Sequence, residues 1–295
     1  MSLENIERCP VCDGRGFKPF LECQDHTATG ELFHVEQCTE CGMLLTNPRP
    51  TVSAAPTYYQ SAEYISHKSS ATGPINSIYL IMRWFTLRWK YSLVKPFLTR
   101  KTLLDFGCGT GAFLQHCQRA GVNVFGVEPS EEARALAETG GIKATATINE
   151  IPDHRCDVIT MWHVLEHVYD LDATLKAIHG RLDDHGTIFI AVPNWQSHDA
   201  ATYGSHWAAY DLPRHIWHFS KEHMTKLLEK SGFKLIRVLP MKLDAYYVSL
   251  LSEKYKANGK LGPSNALHGL ITAYQSNRHA AAHMNYSSLI YIAQK

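Results

Sequence analysis

The stretch LLDFGCGTG, residues 103–111, constrains this chain more than any other, because an apolar run there enters three closely spaced glycines. A short apolar run bounded by glycine reads as a buried strand. The first glycine lets the chain turn tightly off that strand, and the second lets backbone approach a ligand with no Cβ in the way. AFLQHCQRA follows with apolar residues at helical spacing, so the loop opens onto a helix N-terminus with free N–H groups. Such a loop holds a nucleotide-like ligand.

The spacing narrows which one. The loop reads Gly107-Cys108-Gly109-Thr110-Gly111, a G-x-G-x-G pattern, where the dinucleotide fingerprint is G-x-G-x-x-G. No Lys-Ser/Thr follows, which excludes the phosphate-binding P-loop. Asp105, just upstream, suits a ligand carrying an ammonium and a sulfonium better than a polyphosphate. Glu128 ends the next strand, roughly twenty residues on, where an acidic side chain grips ribose hydroxyls. Together these features fit an adenosine-like ligand whose tail is not pyrophosphate.

From Thr102 onward strands and helices alternate, which argues for an α/β domain with a mostly parallel sheet covered on both faces. TLLDFG, NVFGVEP, CDVITMW and GTIFIAVP read as strands, with the helices AFLQHCQRA, SEEARALAETG and LDATLKAIHGRL between them. Ser130 is placed to N-cap the second helix, with Gly140 at its end. KEHMTKLLEKSGF is a further helix, preceded by Ser220 and followed by Gly232. FKLIRVLP and SSLIYIAQK read as two late strands that pair as a hairpin-like edge. A helical insertion, roughly 241–287, separates them.

On these residues the sequence resembles the class I S-adenosylmethionine-dependent methyltransferases. LLDFGCGTGAFL is similar to their first motif, VFGVEPS to their second, CDVITMWHVLEHV to their fourth-strand segment and RLDDHGTIFIAVPN to their fifth. The resemblance covers about residues 102–240, in order. It implies a Rossmann-like fold with a seven-stranded, mostly parallel sheet and S-adenosylmethionine as cofactor. It places Asp105, Gly107, Gly109 and Gly111 at the methionine end and Glu128 at the ribose. Ile148 falls near adenine, with Asn149 or Glu150 where relatives carry an acidic residue. Trp162 and His163 fall near the methionine moiety, or else they pack the core.

A second cluster lies near the N-terminus. CPVC (9–12) is answered by CTECG (38–42), and two C-x₂-C knuckles present four thiolates to a tetrahedral Zn²⁺. We therefore expect Cys9, Cys12, Cys38 and Cys41 to be ligands, with Gly42 easing the turn and Cys23 as a buried small residue. Acidic residues outnumber basic ones across residues 1–50, so this module repels phosphate. We expect it to be structural or to wall the acceptor pocket, with no nucleic-acid partner. The pattern CPVC…CTECGMLLTNPRP…YYQSAEYISH resembles bacterial methyltransferases with an N-terminal zinc ribbon, some of which act on sugars. The C-terminal half typical of the sugar C-methyltransferases is missing.

The expected division is a ribbon at 1–50, a helical linker or lid at 51–101 and the catalytic domain at 102–295. The resemblance puts Tyr59 or Tyr64 of the lid against the cofactor. NSIYLIMRWFTLRWKYSLVKPF carries Arg83, Arg88, Lys90 and Lys95 and reads as a helix packed on its own domain. Such a basic amphipathic helix could alternatively lie on a membrane surface, where a lipid-linked acceptor would fit. The formal net charge of +1 gives no bulk signal for nucleic acid or membrane. No signal peptide or bilayer-spanning run is read, and the eight cysteines do not suggest a disulfide scaffold, so the expected compartment is the cytoplasm.

The long segment WQSHDAATYGSHWAAYDLPRHIWHFS leaves the carboxyl edge of the sheet, where open α/β folds bind ligands. A hydroxyl acceptor must lose a proton, and histidine is the natural base. His215 is the first candidate, then His163 and His167. Asp211 and Arg214 orient that base, bind the acceptor, or form a salt bridge that fixes the loop.

Overall fold

The computed structural model describes residues 2–59, 85–151 and 155–295. The N-terminal part is built from short strands. β1 (Leu3–Glu4) pairs antiparallel with β5 (Arg49–Pro50), while β2 (Phe17–Gln24), β3 (Leu32–Cys38) and β4 (Leu44–Thr46) form an antiparallel meander. Each cysteine knuckle closes a tight turn. The Cys9 carbonyl accepts from the Asp13 N–H and the Cys38 carbonyl from the Gly42 N–H. Gly42 has φ 80, the left-handed conformation that glycine adopts without a steric cost.

The alternation from Thr102 folds as the sequence implies. β6 (Thr102–Phe106), β7 (Asn123–Val127), β8 (Ala144–Thr145), β9 (Cys156–Trp162) and β10 (Leu182–Pro193) pair in parallel. The near-continuous apolar runs of β9 and β10 are those of strands covered on both faces. The helices Ala112–Arg119, Glu131–Thr139 and Leu171–Arg181 make crossovers. Ser130 Oγ accepts from the Ala133 N–H, and Ser220 Oγ from the His223 N–H at the start of helix Lys221–Lys230. Both predicted caps are therefore present.

Strands β12 (Lys234–Pro240) and β13 (Ser288–Gln294) pair antiparallel, with Lys234 opposite Gln294 and Pro240 opposite Leu289. They are not a terminal hairpin. The sheet order is β12-β13-β10-β9-β6-β7-β8, so β13 is inserted beside β10 and, of the two late strands, β12 is the edge. The insertion between them is helical, Asp244–Lys256 and Pro263–His283. The buried Asp199 carboxylate anchors it, accepting from Trp207 Nε1 at 2.8 Å and from Ser276 and Ser287 Oγ at 2.6 Å. One side chain thus ties together the loop after β10, the second inserted helix and the start of β13.

The N-terminal meander does not stand apart from the sheet domain. β11 (Trp217–His218), which belongs to the long loop, pairs with β4, so the second sheet runs β11-β4-β3-β2. Thr46 Oγ1 donates to the His215 carbonyl at 2.6 Å, and the Thr46 N–H donates to the Ile216 carbonyl. Cys9, Val11, Cys38 and Met43 share one apolar core with Leu227, Phe233 and Tyr291.

Residues 85–94 are helical and pack Leu87, Tyr91, Leu93 and the buried Val94 against the domain, with Phe97 edge-on to Phe189 at 5.4 Å. The described part of the basic helix thus packs on its own domain. Arg83 and Tyr64 lie outside the described residues. Among those described, no helix is long and apolar enough to cross a membrane.

Candidate active site

The glycine loop lies between β6 and helix Ala112–Arg119, and all three glycines have left-handed φ, 79, 54 and 72. At Gly107 an added Cβ would stand 2.9 Å from Val164 Cγ1 and closer still to Cγ2, so only glycine allows this approach. That contact sets the loop directly beside the turn leaving β9. At Gly109 an added Cβ would meet nothing within 4 Å, so the space above the loop is open. The Gly109 N–H donates to Glu128 Oε2 at 2.9 Å, and the Ser130 N–H to Oε1 at 2.9 Å. Glu128 is therefore fixed against the loop while its oxygens keep unused lone pairs.

Asp105 lies buried beneath the loop and accepts from Thr160 Oγ1 at 2.6 Å. Burial pushes its carboxyl up to about 7, against the lowering effects of Thr160 and Lys90. Ile148 is buried in the short turn Ile148–Glu150, where Glu150 Oε1 accepts from Thr147 Oγ1. Trp162 ends β9 and meets Phe113 edge-on at 5.8 Å. Its indole N–H is buried and has no acceptor among the described residues. Lys90 Nζ sits 4.4 Å from the Trp162 ring centre, within cation–π range. Burial lowers its pKa, opposed by the charges of Asp105 and Asp244. A lysine of the amphipathic helix thus faces the site.

The turn after β9 gathers the titratable groups. His163 has φ 58, an uncommon conformation for a residue with a Cβ, and its N–H donates to the Ala191 carbonyl. Its Nδ1 lies 3.4 Å from Glu166 Oε1 and its Nε2 3.0 Å from Asp244 Oδ2. Burial alone would lower its pKa, but the carboxylates of Asp244 and Glu166 hold it up at about 10. His167 goes the other way, to about 4, chiefly from burial and then from the neighbouring His215. Its Nδ1 lies 3.0 Å from the Arg214 carbonyl and 3.1 Å from the Tyr59 hydroxyl. Tyr59 therefore meets the acceptor-side histidines.

Glu166 and Asp244 were not singled out in the sequence, and Lys90 only as one basic residue of the amphipathic helix. Glu166 has 0% of its side chain exposed, and neither carboxylate oxygen has a hydrogen bond of good geometry among the described residues. His215 Nε2 stands 3.9 Å from Glu166 Oε1 and 3.9 Å from Asp211 Oδ2, while its Nδ1 lies 2.8 Å from the Ala209 carbonyl. The structure thus brings His163, His167 and His215 together around one buried carboxylate. Only the motif's spacing, W-H-V-L-E-H, could have hinted at Glu166.

Arg214 holds the loop that delivers His215. Its guanidinium donates to Asp211 through Nε (3.0 Å) and NH2 (2.7 Å), to Asp25 at 3.0 Å, to the Tyr58 carbonyl at 2.9 Å and to Thr27. The salt bridge expected of Asp211 and Arg214 is formed and holds the loop, while Asp211 Oδ2 also stands 3.9 Å from His215 Nε2. Arg214 reaches across to the N-terminal meander.

The four knuckle cysteines meet at one point. Cys9 Sγ lies 3.5 Å from Cys41 Sγ, Cys12 Sγ lies 3.6 Å from Cys38 Sγ, and all four are within 4.8 Å of one another. Zn–S bonds of about 2.3 Å in a tetrahedron put sulfurs roughly 3.8 Å apart, so the chemistry and spacing of this donor set fit Zn²⁺. The thiols are free, and the Cys41 carbonyl lies 3.0 Å from His223 Nε2, which ties the knuckle to helix Lys221–Lys230.

Comparison with known proteins agrees with this geometry. The family model described as "Methyltransferase domain" matches residues 80–238, more than half of the chain. The ubiquinone biosynthesis O-methyltransferase of Bradyrhizobium diazoefficiens is 31% identical over 140 residues, covering 43% of this chain and 55% of that protein. That of Rhodopseudomonas palustris is 32% identical over 127 residues, covering 39% and 50%. The chain thus spans about half the length of the curated relatives it matches. A solved SAM-dependent methyltransferase from Archaeoglobus fulgidus shares the fold, with a TM-score of 0.50 at 20% identity over 72% of this chain and 94% of that one. The chain belongs to the methyltransferase domain family and has the fold of a class I S-adenosylmethionine-dependent methyltransferase.

Proposed function

We propose that this protein transfers the methyl group of S-adenosylmethionine to a hydroxyl of a small-molecule acceptor. The observation that carries the reading is one juxtaposition. The Gly107–Val164 contact sets the glycine loop beside the turn bearing His163, Glu166 and His167, and His215 reaches the same carboxylate from the far loop. The open space at Gly109, the unpaired Trp162 indole N–H and the spare lone pairs of Glu128 fit the cofactor. Gly107, Gly109 and Gly111 would admit it to the backbone, Glu128 would hold its ribose, and Ile148 would face its adenine. Asp105, Trp162 and His163 would line its methionine end. When bound, the cofactor supplies a methyl group on a sulfonium, whose leaving group departs neutral and needs no acid.

The chain's own residues must align the acceptor oxygen and take its proton. His215 is our first candidate for that base. The Ala209 carbonyl can only accept, so Nδ1 carries the ring hydrogen and Nε2 keeps a free lone pair. Glu166 and Asp211 would steady the imidazolium that forms. His167 is the second candidate. His163, held charged between two carboxylates, serves better as their cation than as a base. The names of the curated relatives support transfer to oxygen. The acceptor is read as a biosynthetic intermediate, a class that includes sugars and lipid-linked molecules.

Cys9, Cys12, Cys38 and Cys41 would hold a structural Zn²⁺. The ribbon (1–50) would wall the acceptor side of the catalytic domain (102–295), an arrangement supported by the β4–β11 pairing, and the lid (51–101) would cover the cofactor. The test is His215→Ala. It lowers kcat and leaves S-adenosylhomocysteine affinity unchanged; full turnover in this variant would remove His215 from the mechanism.

A further inference from the structure

The acceptor side holds a carboxylate that the fold satisfies by charge alone, with His163 Nδ1 3.4 Å from its Oε1. Glu166 is wholly buried, and both its oxygens lack a hydrogen bond of good geometry among the described residues. Buried polar groups are nearly always bonded, so an orphan of this kind calls for a missing partner. Asp199, buried as deeply in the same domain, takes three donors.

Two histidines flank Glu166 in a way that suits a metal. One ligand atom from each of Glu166, His167 and His215 lies within 4.8 Å of the other two. The rings of His167 and His215 meet edge to face at 4.6 Å. In each, Nδ1 faces a backbone carbonyl, Arg214 for His167 and Ala209 for His215. A carbonyl cannot donate, so Nδ1 of His215 bears the hydrogen and its Nε2 holds the free lone pair; His167 Nδ1, which also meets the Tyr59 hydroxyl at 3.1 Å, takes the same tautomer when that hydroxyl accepts. A ring N–H held by a backbone carbonyl is the usual outer support of a metal-binding histidine. An ion about 2.1 Å from each ligand draws them to roughly 3–3.5 Å apart, from separations of up to 4.8 Å.

We propose that Glu166, His167 and His215 form a binding site for one divalent transition-metal ion, with a coordination position left for the oxygen of the acceptor. Two imidazoles and one carboxylate suit the borderline ions of the first row, such as Co²⁺, Mn²⁺ and Zn²⁺. The inference rests on the methyltransferase reading of this site and refines it. With the ion in place His215 is a ligand, and the ion acidifies the bound hydroxyl. The hydroxyl proton passes to solvent water as the oxygen binds. The oxygen's electron pair then forms the bond to the methyl carbon, and the carbon–sulfur pair stays on sulfur as a neutral thioether.

The experiment titrates Co²⁺ into the full-length protein with its cysteine knuckles already loaded with zinc, without cofactor or acceptor. Calorimetry counts the sites, and the visible spectrum reports nitrogen and oxygen ligands free of thiolate charge-transfer bands. The wild type takes up one equivalent. Glu166→Gln and His215→Gln each weaken uptake by at least about 100-fold, since even loss of an outer-shell partner costs about 10–100-fold. Zinc content and far-UV circular dichroism confirm that each variant is folded, and either folded variant alone decides the matter. No uptake by the wild type, or equal uptake by a folded variant, overturns the proposal. Because no methyl transfer is measured, the metal site can fail while the methyltransferase reading stands, and the reverse.

Discussion

Replacing Arg214 by leucine removes a cation that joins the N-terminal meander to the loop carrying His215. Its side chain is 2% exposed and reaches two carboxylates, Asp25 and Asp211, as well as the Tyr58 carbonyl. The substitution leaves both carboxylates without their cation. Asp25 still accepts from the N–H groups of Thr27, Ala28 and Thr29, so most of the loss falls on Asp211. Breaking a buried pair by removing one partner costs about 3–5 kcal/mol. At about 2–4 °C per kcal/mol for a large domain, the melting temperature falls by roughly 6–20 °C. Urea unfolding of zinc-loaded protein measures the free energy, and calorimetry measures the shift. The pH dependence gives a second reading. Burial pushes the Asp25 and Asp211 carboxyls up, but Arg214 outweighs it and holds both below the ordinary range. Their contribution is therefore fully present above the ordinary carboxylate pKa of about 4 and is lost as pH falls through the lowered values. The variant loses this share of acid sensitivity. A loss below about 1 kcal/mol, the level of an exposed pair, would refute the reasoning.

Glu128→Ala weakens S-adenosylhomocysteine binding by roughly 10–100-fold without unfolding the protein, since it removes the ribose acceptor and frees the Gly109 N–H; calorimetry with unchanged affinity would refute the ribose assignment. Gly107→Ala is more damaging than Gly109→Ala, because both positions are left-handed but only the first meets Val164; equal melting temperatures would contradict this. Stripping zinc with a thiol-specific mercurial and chelator opens the β4–β11 pairing and lowers methyl transfer, and zinc restores it; full activity in metal-free ribbon would show that it does not support the acceptor side.

The elements that sequence revealed are those whose signals are local. The strand, glycine loop and helix at 103–119, the Ser130 and Ser220 caps and the position of Glu128 depend on neighbours a few residues away. β8, only two residues long, carries too little pattern to read. The late strands were legible as a pair, but the insertion of β13 beside β10 is decided by the whole sheet. Much of the acceptor side depends on contacts between distant segments. His163 is completed by Asp244 from the helical insertion, Arg214 by Asp25 from the meander, and Trp162 by Lys90 from the basic amphipathic helix. Glu166 looked like one more charged residue in a short helical turn, and only its burial beneath three histidines marks it.

The central claim is tested most directly by incubating the protein with S-adenosylmethionine labelled in its methyl group and a cell extract, then separating small-molecule, lipid, nucleic-acid and protein fractions. The account predicts label in the small-molecule or lipid fraction, on an ether oxygen. Label confined to nucleic acid or protein would contradict it. So would no label in any fraction from protein shown separately to bind S-adenosylhomocysteine, which would leave a cofactor-binding domain without transfer.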